Sequence, residues 1–104
     1  MTSSFSVEFI FEARQDLRDI CHYIAHELKN PAAASELSDK ITASAISLSL
    51  FPKRYRVRKK SREGQEILSM LVGNFALIYS VDDDRQVVSI LRVTYSRRNI
   101  DSMI

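Results

Sequence analysis

A single cysteine, Cys21, rules out an intrachain disulfide and a zinc site built on several thiolates. Long apolar runs are missing too. Stretches such as Met70 to Val72 and Phe75 to Ile78 fall far short of the roughly 18–20 residues that cross a bilayer, so no membrane span is expected. Met1-Thr2-Ser3-Ser4 carries no positive charge ahead of an apolar run, and Ser6 and Glu8 interrupt Phe5 to Phe11. A secretory signal is therefore not expected, and the cytoplasm is the expected location. There is no repeat, low-complexity tract or linker, and 104 residues suit one domain spanning 1–104. The 45% of hydrophobic residues is enough for a buried core, which excludes a disordered chain.

The net charge of +2 hides an uneven distribution. Lys53 to Arg62 holds seven basic residues and no acidic one, and Arg92, Arg97 and Arg98 add three more. If these two segments meet in space, they form an anion-facing footprint.

Phe5, Val7, Phe9 and Phe11 alternate with polar residues, the period of a strand with one buried face. From Ala13 the period changes: Leu17, Ile20, Cys21, Ile24 and Leu28 share one stripe of an amphipathic helix, with Cys21 a core residue. Acidic Asp16 and Asp19 early in this helix and Lys29 at its end suit its dipole. Asn30-Pro31 then predicts a stop and an immediate restart, since Asn caps a helix and Pro fits its first turn. The second helix carries Leu37, Ile41, Ala45 and Leu48, widened by Ile46 and Leu50, until Pro52 ends it. Beyond a basic loop, Glu66 to Val72, Phe75 to Val81 and Val87 to Tyr95 read as strands joined by turns at Gly73-Asn74 and Asp82 to Arg85. The expected fold is α+β, with β-α-α-β-β-β order and a helix hairpin packed on a mainly antiparallel four-stranded sheet.

In the basic segment, Lys53, Arg54, Arg56, Arg58, Lys59 and Lys60 are candidate phosphate contacts, and Tyr55 a surface on which an RNA base stacks. A solvated loop or a patch for an acidic partner is the alternative. At the other end of the chain, Arg92, Tyr95, Arg97 and Arg98 cluster at the close of a strand. Cations there would stabilise a pentavalent phosphate while a Tyr or Lys moves a proton, with no metal and no cofactor. The alternative is that Arg92 and Arg98 bridge to carboxylates and Tyr95 packs at the sheet edge. His22 and His26 lie one turn apart without a third ligand, and Asp82-Asp83-Asp84 lacks the spacing of a calcium loop, so neither reads as a metal site.

Asp16-Leu17, Ile20, Tyr23-Ile24, Asn30-Pro31-Ala32-Ala33 and Leu50-Phe51-Pro52 occur in an order that resembles toxins of the RelE/ParE superfamily. Val72-Gly73-Asn74-Phe75, Ile78-Tyr79-Ser80-Val81-Asp82 and Leu91-Arg92-Val93-Thr94-Tyr95-Ser96-Arg97-Arg98-Asn99 continue the resemblance through the family's closing hairpin and last strand. It implies the fold just given and a plasmid-stabilisation type of toxin blocked by a cognate antitoxin. In members that cleave mRNA on the ribosome, the corresponding residues here are Lys59, Lys60, Arg62, Tyr95, Arg97 and Arg98; of these, Arg62, Tyr95, Arg97 and Arg98 are the catalytic candidates. Other members bind and poison DNA gyrase without hydrolysis, and the long helix hairpin, Asn-Pro-Ala-Ala and Phe-Pro resemble that branch. Two departures stand out: Leu68 and Ser69 occupy positions where relatives often carry Arg, and Tyr95 stands where many carry His. The expected function is thus translation inhibition by mRNA cleavage, with gyrase inhibition or an inert toxin that still binds its antitoxin as the alternatives.

Overall fold

The computed structural model describes residues 4–104. Strand β1 (Ser6–Phe9) leads into helix α1 (Phe11–His22), which ends in wider turns over Tyr23–Glu27. Helix α2 (Pro31–Ile46) follows, then a 3-10 turn over Ser47–Ser49. Strands β2 (Arg56–Lys60), β3 (Glu66–Val72), β4 (Phe75–Asp82) and β5 (Val87–Tyr95) come next, and a 3-10 turn over Ile100–Met103 closes the order. The sheet runs β1-β5-β4-β3-β2, antiparallel except that β1 lies parallel to β5 with Ser6 opposite Val87. Among the described residues, no helix is long and apolar enough to cross a membrane.

The α+β class and the helix hairpin match expectation, while the sheet has five strands rather than four. The additional one is β2, built from the segment read as a basic loop. Four of its five residues are cations, which suits an edge strand: charged side chains deter pairing with other chains and hide the strand period. A second difference is at Phe11, which opens α1 instead of ending β1. Ile10 gives its N–H to Ile90 O at 3.0 Å as the last sheet bond, and Arg14 N then bonds Ile10 O, starting the helix.

Asn30 caps α2 as its sequence predicts, its side-chain oxygen accepting from Ala33 N at 3.1 Å with Pro31 in the first turn. The end of α1 departs from the regular stripe: Leu28 N bonds Tyr23 O, five residues back, which rotates Leu28 outward to 56% exposure. Ile46 and Leu50 are likewise exposed: the buried stripe of Ile41, Ala45 and Leu48 keeps its spacing of four and three, and Ile46 and Leu50 fall beside it rather than widening it. Cys21, expected in the core, is instead partly buried between α1 and α2 outside the core cluster, its thiol donating to Ala34 O at 3.6 Å, and burial pushes its pKa up.

The main core lies between the helices and one sheet face, where Ile41, Ala45 and Leu48 meet Leu68, Leu77, Tyr79, Val88 and Ile90. A smaller cluster of Ile67, Ala76, Ile78 and Ile100 forms on the opposite face, beneath the 3-10 turn. In the main core, the Tyr79 hydroxyl donates to Pro52 O at 2.5 Å and anchors the chain between α2 and β2. Burial raises its pKa. Tyr79→Phe would strand that carbonyl, so unfolding in urea is expected to show a loss of about 1–2 kcal/mol.

Candidate functional site

Side-chain alternation assigns the candidate residues to two different faces. On the helix side, Tyr95 is opposite Phe75 in the register, and their rings lie 4.7 Å apart; Leu77 and Tyr79 continue that face into the core. Arg56 is opposite Ser69 and Lys59 is opposite Ile67, on the other face. A bulge between Val57 and Lys59 inserts Arg58 and breaks the alternation, so Arg58 and Lys59 share this open face. Arg58 Nε donates to Ser69 Oγ at 2.8 Å, consistent with that placement.

Arg62, Lys59 and Arg92 meet around a cavity of about 320 Å³ floored by Ile67 and Leu91. Arg98 joins Arg92 at a neighbouring cavity of about 460 Å³. The sheet therefore brings part of the two basic segments together, which is the condition on which an anion-facing footprint depended. Tyr95 is on the reverse side, and Arg97 lines neither cavity.

Several of these groups already have partners. Asp16 on α1 accepts from Arg92 Nε at 2.7 Å and Nη2 at 3.0 Å, and also from the backbone N–H of Val93 at 3.0 Å. Beyond Ile10 strand β1 no longer pairs with β5, so the carboxylate takes the place of a strand neighbour for Val93. The ion pair also raises the Arg92 pKa further, the hydrogen bond that Arg92 donates to Asp16 being the main cause. This is the carboxylate bridge that was the alternative for Arg92. Asp16 was legible in part: with Ala13 and Ile20 it falls on the buried stripe of α1, where a carboxylate needs a donor.

Lys53 bonds Asp83 at 2.5 Å and lies 3.7 Å from Glu66, and the bond to Asp83 raises its pKa. Arg54 covers the Tyr55 ring at 5.0 Å and bonds its hydroxyl at 2.8 Å. Tyr55 also packs on the main core, so its ring is not a free stacking surface. Arg56, Lys60, Arg62, Arg97 and Arg98 are exposed and form no ion pair among the described residues.

His22 and His26 stack with ring centroids 4.2 Å apart. Among the described residues, no three His, Cys, Asp or Glu side chains are grouped to hold a metal. Asp82 Oδ1 accepts from the N–H groups of Asp84 and Arg85, which makes the acidic run a turn. Sequence patterning missed an apolar groove of about 740 Å³ between α1 and α2, open because small residues such as Cys21, Ala25, Ala34 and Ser38 line it.

A helix hairpin on one face of a five-stranded sheet, with cations gathered on the open face, defines a small α+β protein. The family described as ParE toxin of the type II toxin-antitoxin system parDE matches residues 7–100, and the chain belongs to that family. The toxin-antitoxin complex RelBE2 of Mycobacterium tuberculosis contains a similar chain, 27% identical at a TM-score of 0.60, covering 88% of this chain and 98% of that one. A chain of the chromosomal ParDE system of P. aeruginosa is 22% identical at a TM-score of 0.65, covering 88% and 95%. A chain of the archaeal RelE-RelB complex of Pyrococcus horikoshii is 18% identical at a TM-score of 0.53, covering 94% and 99%. The last two show a shared fold. No curated protein sequence matches.

Proposed function

We propose that this toxin is held inactive by a cognate antitoxin in the cytoplasm and acts by binding DNA gyrase, not by cleaving mRNA on the ribosome. The antitoxin partner is inferred from the similar chains, each of which comes from a toxin-antitoxin system. The observation that carries the choice of target is the separation of Tyr95 from Arg62, Arg92 and Arg98 by the thickness of the sheet. A proton-transferring group and the cations stabilising a pentavalent phosphate must converge on the same few ångströms. Here Tyr95 stacks on Phe75 and Arg92 is held by Asp16. A binding toxin needs no such convergence.

The test is supercoiling by gyrase with added toxin, alongside primer extension on transcripts after brief induction without antitoxin. Inhibited supercoiling with intact transcripts is expected, and Tyr95→Phe should leave both unchanged. Cuts inside translated codons with supercoiling unaffected would overturn the reading in favour of the nuclease. Harmless overexpression would mark an inert toxin that only binds its antitoxin.

A further inference from the structure

We propose that the open sheet face binds the phosphate backbone of duplex DNA and that segment 99–104 is seated on that face as a displaceable internal competitor. The choice of DNA over RNA rests on the gyrase reading; the face itself is argued from its charges.

The bulge in β2 gives one face Arg56, Arg58 and Lys59 within four residues, where regular alternation would divide them between two faces. Arg62 and Arg98 flank them across the two cavities. Arg56, Arg62 and Arg98 are exposed and form no ion pair among the described residues. Like charges gathered at an edge repel one another, and a polyanion relieves that repulsion while its counterions are released. Between the cations lie Ser69, Ala76 and Thr94, small residues that are buried in this structure, with Ile100 packed on Ala76, so access for a phosphate backbone depends on that cover.

Segment 99–104 covers part of this surface in a way that resembles a weak ligand. Asp101 lies 3.9 Å from Arg58, and Lys59 donates to the carbonyl oxygen of Ile104. Ile100 is the segment's one buried residue, packed on Ile67, Ala76 and Ile78, whereas Asn99, Asp101 and Ser102 are exposed. Beside Ala76 in the register is Thr94, 3% exposed, with its hydroxyl unpartnered among the described residues. The segment is held by Ile100, partly buried Ile104, the Lys59 bond and one long ion pair, contacts few enough for a polyanion to displace, and lifting it would open the surface around the Thr94 hydroxyl.

Fluorescence anisotropy of a labelled duplex of about 20 base pairs, titrated with the whole chain in the absence of gyrase, tests this. Binding should weaken steeply with salt, with a slope of about −3 to −4 corresponding to roughly four phosphates. Arg56→Glu together with Arg62→Glu should weaken it at least about tenfold, equivalent to about 1.4 kcal/mol. Asp101→Asn should tighten it about threefold, while Asp84→Asn, an identical charge change in the distant β4–β5 turn, should change it less than about twofold. Three results overturn the proposal: no saturable binding at low salt, equal effects of the two Asp→Asn changes, or tighter binding of single-stranded RNA of the same length. The gyrase reading fails separately, in a chain that binds DNA yet leaves supercoiling intact.

Discussion

Asp16→Ala is expected to lower the thermal midpoint by roughly 10–20 °C, corresponding to a loss of about 2–3 kcal/mol in a chain of this size. Two donors lose their acceptor at once, the Arg92 guanidinium and the Val93 N–H. An uncompensated cation and a bare backbone donor both carry a desolvation cost. The Arg92 side chain is 34% exposed, so water recovers part of its charge, which keeps the loss below that of a fully buried pair. Asp16→Asn separates the two contributions, because its amide oxygen still accepts from Val93 while the charge is gone. About half the loss is expected there. If Asp16→Ala melted within a few degrees of the parent chain, the carboxylate would be surface decoration and not the acceptor that stands in for a strand neighbour of Val93.

Leu77→Ala is expected to cost more, about 3–4 kcal/mol from the denaturant midpoint. Leu77 is fully buried on β4, the central strand, in the cluster that contains Ile41 and Leu48. Truncation removes its transfer free energy and leaves a cavity that the flanking strands cannot close. Against a total stability of about 5–15 kcal/mol for a domain, that loss makes a variant difficult to keep folded. Leu71→Ala on β3 is the matched control: this leucine is 65% exposed, and less than about 0.5 kcal/mol should be lost. Equal effects at the two positions would mean that β4 does not form the centre of the core.

How far the fold could be read from the sequence depended on whether each signal was local. The Asn30-Pro31 restart, the helix stripe through Ile41 and Ala45, and the Gly73-Asn74 turn all rest on neighbours in sequence, and all three stand in the structure. Strand β2 was hidden because an edge strand of cations has no apolar period to detect. The exposure of Leu28 follows from turns of altered pitch, which shift a side chain by a fraction of a rotation and leave composition untouched, while Ile46 and Leu50 lie beside a buried stripe narrower than their apolar character suggests. For the candidate site, the gathering of Lys59, Arg62 and Arg92 could be anticipated from charge clustering. The opposite facing of Tyr95 required knowing the register of β4 with β5, and the bond between Asp16 and Arg92 joins residues that local patterning treats separately.

The parallel pairing of β1 with β5 also governs when the fold can close during synthesis. Val87 is translated some eighty residues after its partner Ser6, and Asp16 waits nearly as long for Arg92. Until β5 appears, the helix hairpin has only part of the sheet against which to bury Ile41 and Leu48. Such distant contacts make folding late and slow. The sheet therefore closes only once β5 has been made, and every surface that depends on the closed sheet, the basic open face included, forms after it.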